Sequence, residues 1–290
     1  MAMGLSDSET MSSALSGSRR GLSRALTAIE NGANFDFAAA DPWTLGVTGP
    51  PGVGKSSLIG SLISKWLNRG ETVAVLAVDP SSPNSGGALL ADRMRMQVAD
   101  SADSVFVRSL ATRNHPGGLA SRISPMIHCL HACGWSRIVI ETVGSGQSEI
   151  RIVAFADRIL LVDGPDRGDV VQAEKAGILE LADIIAINKS DLPNSEQAAD
   201  SVRTAIGLAN GSDTPVHLVS AHDGSGVDDL LDEIESCSFS AERNRLRARE
   251  QLLSAWDSRL LDHPGLNEVL DSLETGSITL DEAVESLDRG

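Results

Sequence analysis

Residues 46–62 read GVTGPPGVGKSSLIGSL. Within this stretch, Gly49 to Ser56 satisfies the pattern G-x-x-x-x-G-K-[ST], which forms a loop that wraps phosphate groups. An apolar run precedes the loop and an apolar, helix-like stretch follows it. That is the strand–loop–helix context in which the pattern binds phosphate. The stretch therefore predicts a nucleotide-binding α/β domain, and its alternative is a chance glycine-rich turn before a helix.

The residue types in this loop suit a polyphosphate. Gly52 and Gly54 let the backbone bend until successive N–H groups face one point. We expect Lys55 to reach the outer phosphates and the Ser56 hydroxyl to bind Mg²⁺. The expected nucleotide contacts of the loop are Gly49, Gly52, Val53, Gly54, Lys55, Ser56 and Ser57.

Outward from the loop, short runs rich in Val, Ile and Leu alternate with helix-like stretches. The runs are 43–49, 72–79, 104–110, 137–144, 158–164, 184–191 and 215–221. Apolar runs of this kind are typical of strands buried on both faces, and their alternation with helices predicts a doubly wound, mostly parallel sheet. In such a fold the functional residues lie in loops at the carboxyl ends of the strands.

The chain divides into three parts by pattern. Residues 1–40 hold a polar tail, expected to be disordered over 1–18, and a short helix over 19–30. Residues 41–237 form the nucleotide-binding domain, and residues 238–290 form a helical arm.

The arm is predicted to contain three helices. The first spans 241–262, the second spans 265–274, and a capping box of Thr279 and Glu282 begins the third. On the first helix, apolar residues are spaced by seven, three and four positions, as in a coiled-coil seam: Leu246, Leu253, Trp256 and Leu260. This spacing favours a dimer interface, and the alternative is an arm that folds back on its own sheet.

The amino-acid composition excludes some classes of binding partner. The net charge of −16 disfavours nucleic acid, because an acidic surface repels phosphate backbones. No apolar run reaches the roughly 18 residues needed to span a bilayer, so no membrane partner is expected. The chain has 3 cysteines, which make no disulfide framework, and we expect it in the cytoplasm.

Acidic residues that end strands are candidates for the metal side of the site. The run RIVIETVG places Glu141 at the expected end of a strand and looks like the third GTPase motif, in which an acid orients metal-bound water. Most GTPases place Asp at this position, and this chain has Glu. Gly144 follows, and its N–H would meet the γ-phosphate. Asp79 ends the run VAVLAVD and is a further candidate near the metal, whereas Asp92 lies in a polar loop that the pattern alone does not distinguish.

The segment NKSD, residues 188–191, predicts the base. Asp191 can accept two hydrogen bonds from guanine, a donor pair that adenine lacks, and bidentate bonds to a carboxylate are strong and directional. Asn188 and the stem of Lys189 complete the motif, and Ser220 and Ala221 of the next strand end can close over the base. The expected ligands are therefore GTP or GDP with Mg²⁺, and the expected reaction is phosphoryl transfer to water.

Four segments give the chain a family resemblance: VDPSSPNSGGALLADRMRM (78–96), RSLATRNHPGGLA (108–120), ETVGSGQSE (141–149) and GDVVQAEKAGILELADIIAINKSD (168–191). They resemble the MeaB/ArgK family, the G proteins that chaperone cobalamin-dependent methylmalonyl-CoA mutase and related acyl-CoA mutases. The resemblance implies a homodimer joined by the C-terminal arm. It also implies slow GTP hydrolysis that the client accelerates, with GTP gating cofactor loading and protection of the mutase.

The resemblance also implies residue roles. Asp79, Asp92 and Glu141 would surround the magnesium. Switch segments would lie at about 80–96, 142–150 and 164–175, the last with Gln172 and Lys175 responding to nucleotide and client. Gln147 is the candidate for orienting the attacking water.

Two other functions compete. A metal-inserting GTPase would need Cys or His in the segment that follows Glu141, and that segment, ETVGSGQSE, has neither. The cluster His128, Cys129, His131 and Cys133 lies elsewhere, in a stretch that also fits an amphipathic helix packed on the sheet. The other competitor is a nucleotide-gated scaffold with negligible turnover.

Overall fold

The structure, a computed structural model, describes residues 7–79, 103–111, 116–142, 151, 153–165, 176–209, 214–237 and 241–288. Its strands form one parallel sheet in the order β3-β2-β4-β1-β5-β6-β7. Their bounds are β1 Thr44–Thr48, β2 Val73–Asp79, β3 Val105–Ala111, β4 Arg137–Thr142, β5 Arg158–Asp163, β6 Ile184–Ile187 and β7 Val216–Leu218. Each predicted apolar run coincides with one of these strands, β3 ending one residue beyond its run, so the predicted α/β class is confirmed.

Helices cover both faces of the sheet and continue into the arm. Their bounds are α1 Asp7–Leu15, α2 Arg19–Glu30, α3 Lys55–Asn68, α4 Pro116–Ala132, α5 Ala176–Leu181, α6 Ser195–Ala209, α7 Val227–Ser236, α8 Ala241–Leu261, α9 Leu266–Glu274 and α10 Leu280–Asp288. No helix in this described part of the chain is long and apolar enough to cross a membrane.

The core is divided between the two faces by the two-residue period of the strands. On β2, Val73 and Val75 pack with α3 and α7, while Ala74 and Leu76 pack with α2 and α4. Farther along the sheet, α5 and α6 cover the same face as α2 and α4. Because both faces are covered, the central strands are buried along most of their length and their ends are open to ligands.

The N-terminal segment differs from expectation. Residues 1–18 were predicted to be a disordered tail, yet Asp7–Leu15 forms α1. Thr10 and Ala14 of α1 are buried against the body, and Ala14 joins the core cluster of α2 and α4. Tertiary burial of a few small side chains therefore outweighs the low hydrophobicity of this stretch.

The arm begins with the predicted long helix, but the predicted seam is split. Leu246 packs against the α5–α6 cluster, whereas Leu253, Trp256 and Leu260 are exposed. The reason is that a polar face of α8 lies on the body: Ser121 Oγ of α4 donates to Ser258 Oγ at 2.9 Å. The predicted seam is therefore wrong at Leu246, while its other three residues remain exposed.

The capping box at the third arm helix forms as predicted. Glu282 Oε2 accepts from Thr279 N at 2.8 Å, and Thr279 Oγ1 accepts from Glu282 N at 3.3 Å. These reciprocal bonds satisfy two of the backbone donors at the start of α10.

Candidate nucleotide site

The phosphate-binding loop lies at the centre of the sheet. It joins the carboxyl end of β1, which is flanked by β4 and β5, to the first turn of α3. Gly52 and Gly54 have φ angles of 81° and 94°, in the left-handed region that favours glycine. Gly54 is the N-cap residue of α3, so the positive end of the helix dipole faces the loop.

Lys55 lies over this loop. Its ammonium donates to the carbonyl oxygens of Gly49 at 2.6 Å and Pro50 at 2.9 Å. The side chain is buried, and these contacts place a positive charge within the bend of the loop. A loop that combines an ammonium with a helix N-terminus suits a polyanion.

The next residue connects the loop to β4. Ser56 Oγ donates to Glu141 Oε1 at 2.5 Å, and both residues are buried. Glu141 is brought there by sheet register, since it pairs with Val47 of β1 and Ala77 of β2. A serine hydroxyl and a carboxylate are hard oxygen ligands of the kind that Mg²⁺ prefers, so this pair fits the expected metal.

The remaining predicted metal and switch residues are placed only in part. Asp79 is the last residue of β2, the strand beside β4, so its backbone lies at the same edge of the sheet as Glu141. Other predicted positions lie outside the described residues: Asp92, Gly144, Gln147, Gln172 and Lys175. Across the described ranges, no group of three or more His, Cys, Asp and Glu side chains is arranged to hold a metal ion.

A cavity of about 420 Å³ opens beside the loop, where the base is expected. Its lining residues are Gly54, Ser57, Asn188, Lys189, Asp191, Leu192, Ala221 and His222. The structure therefore brings the NKSD motif, the end of the phosphate loop and the 220–222 segment around one space. This follows from β6 neighbouring β5 and β7 in the sheet.

Asn188 holds these three segments together. Its Nδ2 donates to Val53 O at 2.9 Å, and its Oδ1 accepts from Ala221 N at 3.0 Å. The residue is 2% exposed. With both ends of its amide engaged, Asn188 fixes one wall of the cavity.

Asp191 is oriented by Ser220, whose Oγ donates to Asp191 Oδ1 at 2.7 Å. Lys189, two residues earlier, has a φ of 62°, uncommon for a residue with a side chain and typical of functional sites. The loop after Ser220 is also fixed, because Asp223 accepts from Ser225 N at 2.9 Å. That bond lowers the pKa of the Asp223 carboxyl below its usual range.

Two lining residues were not predicted. Leu192 and His222 each follow a predicted residue directly, Leu192 after Asp191 and His222 after Ala221. Neither residue type is diagnostic of a base pocket, so only their positions next to the motifs could have indicated them.

The cysteine cluster on α4 is remote from this site in the sheet. Cys129 is buried in the core formed with α2, and Cys133 packs at the edge of that core. The Cys129 thiol donates to Cys133, which raises the pKa of Cys129 and lowers the pKa of Cys133. This arrangement matches the packed-helix interpretation of the segment, in which free cysteine fills the core.

Comparison with known proteins decides the family. Residues 23–266 match the family described as "Methylmalonyl Co-A mutase-associated GTPase MeaB". The chain belongs to the MeaB family. It is therefore a P-loop GTPase that binds GTP and GDP, and the predicted resemblance is confirmed.

Individual relatives agree with this family. A relative from Pyrococcus abyssi is 38% identical over 250 residues, which cover 81% of this chain and 77% of that protein. The fused isobutyryl-CoA mutase of Cupriavidus metallidurans is 38% identical over 202 residues, 65% of this chain but only 18% of that protein. The crystal structure of a LAO/AO transport system kinase shares the fold at 20% identity, with a TM-score of 0.66 over 100% of this chain and 98% of that chain.

Proposed function

We propose that this MeaB-family GTPase is the switch partner of a cobalamin-dependent acyl-CoA mutase of the methylmalonyl-CoA mutase type. The observation that supports the client is the Cupriavidus relative, in which a region like this chain is part of one polypeptide named as a fused isobutyryl-CoA mutase. Two activities joined in one chain are held at a high effective concentration. A separate protein of the same family would then need to bind its mutase from solution. GTP binding and hydrolysis would gate cofactor loading and protect the mutase.

Binding of the triphosphate would begin at Lys55. Its ammonium now donates to two neutral carbonyls, those of Gly49 and Pro50. Phosphate oxygens carry full charge and form stronger hydrogen bonds with an ammonium. We expect Lys55 to exchange these carbonyls for phosphate oxygens, and Lys55→Ala to abolish nucleotide binding.

Ser56 and Glu141 would hold Mg²⁺, with Asp79 and Asp92 as further proposed ligands. The contact between the Ser56 hydroxyl and the Glu141 carboxylate at 2.5 Å supports the first two. When bound, magnesium supplies charge neutralisation on the outer phosphates. The loop and the start of α3 would position the phosphates of the nucleotide. Gln147 is the proposed residue for orienting the attacking water.

Base selection would fall to Asp191, with Ser220 orienting it. Ser220 Oγ already bonds one carboxylate oxygen at 2.7 Å, which restricts the carboxylate to one orientation. An Asp191→Asn variant replaces one acceptor with a donor and should lose preference for guanine. Competition of a fluorescent GDP analogue with unlabelled GDP, IDP and ADP measures this. Unchanged preference for GDP would contradict the assignment.

The client is tested by GTP turnover with and without a purified acyl-CoA mutase from the same organism. Phosphate release should accelerate when mutase is added, because a partner that completes or orders the site lowers the barrier to phosphoryl transfer. The matched control is Lys55→Ala, which should show no release in either condition. Equal turnover with and without mutase would contradict the client, and no turnover at all would favour the nucleotide-gated scaffold.

We also propose that the arm makes a homodimer. On α8 the buried side chains are polar, Arg247, Ser254 and Ser258, while apolar residues face solvent, with Leu252 68% and Trp256 56% exposed. This is the reverse of the pattern expected of a surface helix, and an exposed apolar face of this kind is typical of an interface. Large apolar side chains are also exposed on the later arm helices, at Leu270, Leu280 and Val284.

Sedimentation equilibrium tests the dimer. A Trp256→Glu change should shift the protein toward monomer, because it places a charge in the proposed apolar contact. The matched control is Leu15→Glu on α1, where the wild-type side chain is 54% exposed but lies outside the arm. A dimer that tolerates Trp256→Glu as well as Leu15→Glu does not use this face.

A further inference from the structure

A short segment of the nucleotide-binding domain contacts the arm helix α8 along one face. We call these contacts the clamp, defined as those between residues 151–157 and α8. Arg151 pairs with Asp257 and lies 3.9 Å from the Glu250 carboxylate. Gln251 Nε2 donates to Ala154 O at 2.8 Å, and Arg247 Nη1 donates to Asp157 O at 2.7 Å.

The same segment also packs on the strand that carries the phosphate-binding loop. The side chains of Val153 and Ala156 lie so close to Gly46 of β1 that a Cβ there would be 3.0 Å and 3.2 Å from them. Asp157 Oδ2 accepts from the hydroxyl of Thr44 at 2.8 Å. Residues 153–157 are therefore in direct contact with β1 on one side and with α8 on the other.

The position of Arg151 in the sequence relates the clamp to the γ-phosphate side of the site. Arg151 follows Glu141 by ten positions, and Glu141 is the carboxylate that Ser56 contacts. The clamp thus begins shortly after the strand end that meets the phosphate-binding loop.

The clamp is polar and loosely packed. A cavity of about 450 Å³ lies beside it, lined on one side by Asn244, Arg247, Ala248 and Gln251 of α8. Its other walls come from residues 41–43 and 155–158. Interfaces that are polar and incompletely packed allow relative movement, whereas an interdigitated core does not.

We propose that the clamp couples nucleotide state to the position of α8, with Arg151 as its main connecting residue. α8 carries the apolar face of Leu252, Leu253 and Trp256 on the side away from the clamp. A shift of the clamp changes how this face is presented to a partner. This inference goes beyond the mutase client, and it holds whichever protein or second copy binds the face.

Hydrogen exchange of residues 241–262 tests the coupling. It is compared between the GDP-bound protein and the protein bound to a non-hydrolysable GTP analogue. Coupling between two sites commonly changes an equilibrium by about 5-fold or more, so exchange in α8 should differ by roughly that factor in the wild type. In Arg151→Ala the difference should fall to less than about twofold, because the nucleotide no longer biases the helix.

A matched control removes a different arm contact. Arg122 of α4 lies 3.4 Å from Asp262 at the end of α8, so Arg122→Ala also removes an arginine–aspartate pair but not one of the clamp. This variant should keep the wild-type difference in exchange. Asp257→Asn should lose it as Arg151→Ala does, and the double variant should show no further loss, since both changes break the Arg151–Asp257 pair.

The outcomes separate clearly. The proposal is overturned if wild-type α8 exchanges equally in the two nucleotides, if Arg151→Ala retains the difference, or if Arg122→Ala loses it to the same extent. Binding of a fluorescent GDP analogue verifies that each variant is folded, and Asp257→Asn carries the test if Arg151→Ala does not fold. No mutase is present in any measurement, so failure here is distinct from failure of the proposed client.

Discussion

Replacing Gly54 with alanine should destabilise the protein more than replacing Gly52 with alanine. Both glycines have left-handed φ angles, 94° and 81°. A Cβ on Gly52 would meet nothing within 4 Å, whereas a Cβ on Gly54 would lie 2.4 Å from Asn188 Nδ2. The two variants therefore share the backbone strain and differ only in the clash.

The difference in stability between the two variants follows from the hydrogen bonds that Asn188 must break. The left-handed conformation costs an alanine about 1–2 kcal/mol at either position. To relieve the clash, Asn188 must move and lose two hydrogen bonds, the one it donates to Val53 O at 2.9 Å and the one it accepts from Ala221 N at 3.0 Å. Two buried hydrogen bonds are worth about 0.5–1.5 kcal/mol each, so Gly54→Ala should lose about 1–3 kcal/mol more than Gly52→Ala.

Urea unfolding of the nucleotide-free protein is the assay, because a bound nucleotide would add contacts of its own to both glycines. The free energy of unfolding is measured for the wild type, Gly52→Ala and Gly54→Ala, and again in an Asn188→Ala background. In that background the two glycine variants should be equal, since the clashing atom is gone. Losses from Gly52→Ala and Gly54→Ala that agree within about 0.5 kcal/mol in the wild-type background would refute the reasoning.

Three further predictions concern other buried contacts. Ser220→Ala removes the hydrogen bond to Asp191 and should weaken GDP binding by about 2–13-fold, the equivalent of one hydrogen bond. Calorimetry measures this affinity, and ADP binding should be unchanged. Arg247→Met should lower the free energy of unfolding by about 3–5 kcal/mol because it leaves the buried Asp183 carboxylate without its ion-pair partner; adding Asp183→Asn should restore part of that loss. Burial raises the pKa of the Asp157 carboxyl, so its stabilising contribution is complete below about pH 3.9 and is lost as pH rises through the folded-state pKa. Asp157→Asn should therefore gain stability relative to the wild type between pH 4 and pH 7, roughly, and an unchanged difference across that range would contradict the assigned cause.

Much of the fold was predictable because its signals are local. Strands such as β2 and β5 are short apolar runs that end in Asp, and such runs can be recognised without knowing which elements pack against them. The sheet order brought together residues far apart in sequence, such as Ser56 and Glu141, and this was predictable only through motifs that specify strand ends. The parallel α/β rule supplied the rest of that inference.

What sequence did not reveal depends on tertiary burial. The helix α1 forms because Ala14 is covered by α2 and α4, and the polar tail has no internal signal for that. The face of α8 was misassigned at Leu246 for the same reason, since spacing shows which residues share a stripe but not which stripe meets the body. The burial of Arg247 on α8 could not be predicted from the sequence, because it depends on the ion pair with Asp183, which is distant in sequence.

The base pocket cannot report whether GDP or GTP is bound. In our proposal Asn188 and Asp191 serve the base side, which the two nucleotides share, and a contact of equal strength in both states shifts no equilibrium. Discrimination must arise beside the outer phosphates, where Lys55 lies over the loop and Glu141 lies near the end of β4. Of the contacts that α8 makes with the described body, those of Arg151 lie nearest to that strand end along the chain. A signal that reaches the arm is therefore expected to pass through residues 151–157, and removing a separate contact of the arm, that of Arg122 with Asp262, should leave the signal intact.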